Sequence, residues 1–119
     1  MRVPAFMLKK LYVPGSLKPT PDGFTFRLRN TLATATLVTP PTITVDGTPV
    51  PPQDVHAVMN GATLGAKDVT ADTPLALTKG VEVEMVVRGR TLAPGSHRIG
   101  IKSESKEWET IAFEIDDKV

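Results

Sequence analysis

Proline and glycine interrupt this chain so often that a long helix has no room to form. Eleven Pro and nine Gly are spread through 119 residues, and a proline inside a helix removes a hydrogen bond and clashes with the preceding turn. Short strands fit between the breaks, and the hydrophobic period is two. From Gly23 to Asn30, the apolar Phe24, Phe26 and Leu28 alternate with Thr25, Arg27 and Arg29. Val81, Val83, Met85 and Val87 alternate with Glu82, Glu84, Val86 and Arg88. The pattern returns as Ile99 and Ile101 beside Arg98, Gly100 and Lys102, and as Ile111, Phe113 and Ile115 beside Thr110, Ala112 and Glu114. Strands with one apolar face bury it only against one another.

The breaks themselves are turn chemistry. Asp46-Gly47 and Asn60-Gly61 are two-residue hairpin signals, since both central residues of a type I′ turn need positive φ. Pro21-Asp22-Gly23 opens a strand, and Pro94-Gly95 suits a type II turn leading into the strand that begins near His97. Turns recurring about every ten residues predict an all-β fold, an antiparallel immunoglobulin-like or jelly-roll β-sandwich of about seven to nine strands. Residues 1–119 are expected to form a single domain. Asp54 to Met59 stays open between strand and short helix: Val55, Val58 and Met59 have helical spacing behind a possible Asp54 cap, whereas the run is short and Asn60-Gly61 ends it.

Composition narrows the function classes. The 14 basic and 13 acidic residues leave a net charge of +1 with both signs interspersed, so no basic stripe points to a nucleic-acid partner. The chain has no cysteine, which excludes a disulfide framework, a thiolate zinc site and a cysteine nucleophile. Its longest uncharged stretch, Asn30 to Val45, holds six Thr and two Pro, far from the roughly 20 apolar residues of a membrane helix. In Met1 to Lys10 the apolar run precedes the lysines, the reverse of a signal peptide. The expected location is cytoplasmic, with no membrane partner.

Candidate chemistry is sparse. By strand parity His97 faces inward with Ile99 and Ile101, near the end of the sandwich, as a structural or pocket histidine satisfied by a loop carbonyl. Paired with His56 it would make a metal site, but a third ligand at metal spacing is lacking. Glu104, Glu107 and Glu109 are interleaved with Ser103, Ser105, Lys102 and Lys106, which reads as a solvated hairpin loop rather than a catalytic carboxylate pair. Ser16, Ser96, Ser103 and Ser105 lack a nucleophile-elbow context. No catalytic residue, cofactor site or metal site is therefore expected in this chain.

The most informative stretch is Thr31 to Thr39. One strand face would carry Leu32, Thr34, Thr36 and Val38 and the other Ala33, Ala35 and Leu37, with no charge on either. An uncharged edge strand invites pairing, so Leu32, Thr34, Thr36 and Val38 are expected to meet another chain, in a homo-oligomer or a larger enzyme. The alternative is a central strand buried on both faces. Trp108, on the face opposite Ile111 and Phe113 by parity, is either an exposed partner anchor or a cover over the end of the core. A free-standing module for carbohydrate or protein partners is the other binding reading, with an aromatic platform around Trp108, Phe24 or Tyr12.

Three blocks carry a family resemblance: Gly23-Phe24-Thr25-Phe26-Arg27-Leu28-Arg29-Asn30, Ile43-Thr44-Val45-Asp46-Gly47-Thr48-Pro49-Val50-Pro51-Pro52, and Leu92-Ala93-Pro94-Gly95-Ser96-His97-Arg98-Ile99-Gly100-Ile101. Together they resemble the small β-subunit of bacterial C-glycoside deglycosidases. The resemblance implies a non-catalytic β-sandwich subunit of a carbon–carbon lyase. Its partner would be a larger α-subunit with a sugar-isomerase-like barrel, holding a divalent metal and the general base that cleave a 3-oxo-C-glycoside. No catalytic residue passes to this chain through the resemblance.

Overall fold

The computed structural model describes residues 3–119; Met1 and Arg2, which open the N-terminal apolar run, lie outside the described residues. The chain begins with one turn of helix, α1 (Ala5–Leu8), and a 3-10 turn (Lys9–Leu11). Eleven strands follow among the described residues. In chain order these are β1 (Lys18–Thr20), β2 (Gly23–Arg29), β3 (Ala35–Leu37), β4 (Thr42–Val45), β5 (Thr48–Pro49) and β6 (Val55–Met59). Then come β7 (Ala62–Gly65), β8 (Leu75–Leu77), β9 (Glu82–Arg88), β10 (Ser96–Ser105) and β11 (Glu109–Lys118).

They make two antiparallel sheets, so the all-β sandwich expected from the alternation is the fold. The first sheet runs β1-β2-β9-β6-β7. The second is built on β10: β11 lies along one edge for its whole length, while the other edge is shared by β4, opposite Ile99 to Lys102, and β3, at Ser105. β5 flanks β4 and β8 flanks β3. The strands outnumber the seven to nine expected because β1, β3, β5 and β8 are pieces of two or three residues, too short to display a period.

The alternation sets which face is buried. Phe24, Phe26 and Leu28 of β2 and Val83, Met85 and Val87 of β9 enter the core, opposed by Ile99 and Ile101 of β10 and Ile111, Phe113 and Ile115 of β11. Phe24 and Phe26 are wholly buried with ring centroids 6.2 Å apart, each contributing roughly 1.5–3 kcal/mol of hydrophobic stabilisation. Both expected hairpins form with the left-handed pairs they require, Asp46 (φ 50) with Gly47 (φ 87) and Asn60 (φ 52) with Gly61 (φ 79). Asp54 to Met59 resolves into the end of a 3-10 turn (Pro52–Asp54) and the strand β6.

Of the two arrangements open for Thr31 to Thr39, the structure has the interior strand and not the edge, and only in part of the stretch. Only Ala35–Leu37 is strand, and it lies between β8 and β10 rather than at an edge. Pro40-Pro41 stops the segment, because proline has no N–H to continue a ladder. Its threonines are tied down locally: Glu107 accepts from the Thr36 N–H at 2.7 Å and the Thr36 hydroxyl at 2.8 Å, and the Lys79 N–H donates to Thr34 Oγ1.

Candidate functional site

Where β2, β3, β9, β10 and β11 converge at one end, the two sheets leave a cavity of about 440 Å³ between them. Leu28 and Val83 line it from the first sheet, and Ala35, Ile101, Ile111 and Phe113 from the second. Its remaining wall is the N-terminal segment, through Met7 and Leu8 of α1 and Leu11 of the 3-10 turn. That wall was missed in the sequence, although Val3, Met7, Leu8 and Leu11 recur at helical spacing.

A hydrogen-bonded clamp fixes the wall against β11. The Tyr12 hydroxyl donates to Asp117 Oδ2 at 2.5 Å and accepts the Leu17 N–H at 3.1 Å, while the Gly15 N–H donates to the same carboxylate oxygen at 2.9 Å. Burial first, and the hydrogen bond to Asp117 second, push the Tyr12 pKa up to about 12, so the phenol stays a donor. The same hydrogen bond, ahead of the Lys118 and Gly15 N–H groups, holds Asp117 below the usual carboxylate range.

At the mouth, Asn30 organises the loops. Its side-chain amide donates to the Ala33 and Leu77 carbonyls at 2.8 and 2.7 Å, and its Oδ1 accepts the Leu32 N–H at 3.2 Å. Its backbone adds bonds to Val81 and Gly80, so one buried residue joins the segments after β2 and before β9. Trp108 folds over the opening, with Nε1 donating to the Thr34 carbonyl at 3.0 Å. The Ser103 hydroxyl donates to the Thr39 carbonyl at 3.0 Å. These polar groups of the lining are spent on backbone, and the surface presented to the cavity is hydrocarbon.

Of the residues expected at a partner interface, Leu32 and Trp108 line the cavity, whereas Thr34, Thr36 and Val38 do not. Trp108 escapes the parity argument because Glu109 is left-handed (φ 58), which turns the chain between it and β11. The aromatic platform does not form: Phe24 and Tyr12 are buried. His97 is on β10 and His56 on β6, in different sheets, and among the described residues no three His, Cys, Asp or Glu side chains gather as a metal-binding group. His97 instead places its ring between two acceptors, with Nδ1 2.7 Å from Asp46 Oδ2 and Nε2 2.7 Å from the Ala93 carbonyl oxygen. Glu104 and Glu107 accept hydrogen bonds from Thr110 and Thr36. Among the described residues no helix is long and apolar enough to cross a membrane.

A family model described as the hydroxymethylglutaryl-CoA reductase, N-terminal domain, matches residues 7–119. The chain belongs to this family. The comparison with curated proteins gave no match. Membership of the hydroxymethylglutaryl-CoA reductase N-terminal domain family overturns the resemblance to the C-glycoside deglycosidase β-subunit, and with it the lyase activity and the barrel-fold α-subunit. The resemblance rested on an Asp-Gly hairpin followed by prolines and on a Pro-Gly turn entering a strand. Both are punctuation that any antiparallel sandwich needs, so they mark the fold and not the family.

Proposed function

We propose that this chain serves a hydroxymethylglutaryl-CoA reductase as a non-catalytic N-terminal domain, supporting the polypeptide that carries out the reduction. The observation that carries the reading is the family match over residues 7–119. The cavity supports the non-catalytic half of it. Reducing a thioester needs a proton donor placed where charge develops on the carbonyl oxygen. Here the lining is mostly apolar side chains, its buried amide and hydroxyl are already bound to backbone carbonyls, and Arg29 and Thr31 of the lining are exposed to solvent. Such a surface binds by shape. A cytoplasmic location belongs to the same proposal.

Association is the direct test. The reducing polypeptide, prepared without this domain, is titrated with the 119-residue chain and followed by sedimentation velocity. A stable complex is expected. Two species sedimenting independently, or reduction of hydroxymethylglutaryl-CoA by the 119-residue chain alone, would overturn the reading.

A further inference from the structure

The cavity walled by α1 has its own binding chemistry, independent of the reductase assignment. We propose that it is a binding site for one small, neutral, hydrocarbon-like molecule. Its size comes first: about 440 Å³ lies within the roughly 300–1,000 Å³ of small-molecule sites. Space of this kind left unfilled deprives its lining of dispersion contacts, and an apolar cavity takes up apolar molecules readily.

The polarity of the walls selects the occupant. Asn30 has committed both amide hydrogens and its oxygen, Ser103 its hydroxyl hydrogen, and Trp108 its indole N–H. Thr31 adds one exposed hydroxyl to the lining, but a polypeptide segment would bring a row of N–H and C=O groups that a single hydroxyl cannot satisfy. A carboxylate or phosphate would lose its hydration for nothing in return. Arg29 is the charged residue of the lining, but the alternation of β2 sends its side chain to the solvent face, where the residue is exposed. An uncharged molecule that is nearly all hydrocarbon, with at most one hydrogen-bonding group to set against the Thr31 hydroxyl, loses little on entering.

Trp108 is the chain's one tryptophan and lines the site, so it reports occupancy directly. The chain is titrated with the neutral fluorophore N-phenyl-1-naphthylamine, reading energy transfer from Trp108, with decanol, decanoate and an apolar peptide as competitors. Saturable binding of one probe per chain is expected, displaced by decanol and not by decanoate or the peptide. Ala35→Leu, which adds hydrocarbon inside the cavity, should weaken binding by about tenfold or more while the fold persists; Ala33→Phe, at the half-buried mouth, gives the same reading should Ala35→Leu fail to fold. Unsaturable binding, equal displacement by decanoate or by the peptide, or unchanged affinity in both variants would overturn the proposal. So would binding that emerges only in Phe6→Ala. Phe6 is 70% exposed on α1, and that result would mean a second copy fills the space.

Discussion

His97 Nδ1 lies 2.7 Å from Asp46 Oδ2, joining the start of β10 to the turn between β4 and β5. The other ring nitrogen lies 2.7 Å from the Ala93 carbonyl oxygen. Both neighbours only accept hydrogen bonds, so the protonated ring satisfies the two together. The Ala93 carbonyl first and Asp46 second raise the His97 pKa above its ordinary 6.5. The Arg98 backbone N–H first and His97 second hold Asp46 below its ordinary 3.8.

The pair should therefore give stability a pH signature. His97 contributes in full below 6.5 and loses its contribution as pH rises through its raised value; Asp46 contributes in full above 3.8 and loses its contribution as pH falls through its lowered value. Asp46→Asn keeps a residue that tolerates the left-handed turn and removes the charge. The melting-temperature difference between wild type and this variant should be largest between those two pH values and shrink on either side. By NMR, the His97 titration midpoint should fall in the variant. A difference independent of pH, with an unmoved midpoint, contradicts the account.

Tyr12→Phe keeps the ring that packs 6.4 Å from Phe26 and deletes the hydroxyl of the clamp. A hydrogen bond to a charged group is involved, so urea unfolding should show a loss of about 2 kcal/mol. Asp117 has a lowered pKa, and its contribution is lost as pH falls through that value. The gap between wild type and variant should therefore narrow in acid. An equal gap at every pH would mean that packing, not the clamp, accounts for the loss.

Asn30→Ala leaves the Ala33 and Leu77 carbonyls and the Leu32 N–H without their side-chain partner. The expected cost is about 2–4 kcal/mol. Asn30→Asp is the sharper control, because it turns an acceptor towards two carbonyl oxygens and should be at least as destabilising at neutral pH. A tolerated Asn30→Asp would show that the amide is not the tie between these loops.

The alternation, the hairpins and the sandwich were all readable in residue order, because Phe24, Phe26 and Leu28 or Val83, Met85 and Val87 carry their period locally. The cavity was not. Leu32 and Trp108 stood out as uncharged or aromatic, but what they share is a space closed by Met7 and Leu11, far away in sequence, and positioned by Tyr12 and Asp117, separated by 105 residues. Long-range hydrogen bonds leave no periodic trace. Thr31 to Thr39 stayed open between two readings for a related reason: lack of charge is common to an exposed edge and to a strand held between β8 and β10, and only pairing distinguishes them.

Gly23→Ala tests the close packing of β2 against β9. A Cβ at this position would sit 1.9 Å from the Val87 carbonyl oxygen, which is backbone and cannot swing away. The strands would have to part, at a cost of about 1–3 kcal/mol. Unchanged stability in thermal unfolding would contradict the described register of Gly23 opposite Arg88.

The central claim is that the chain supports hydroxymethylglutaryl-CoA reduction without performing it. The deciding measurement is the reduction rate of hydroxymethylglutaryl-CoA by the reducing polypeptide with this domain present and with it removed, beside the domain alone. The account predicts no turnover by the domain alone and a severalfold loss of rate or of enzyme lifetime when it is removed. Identical rate and lifetime with and without the domain would contradict it.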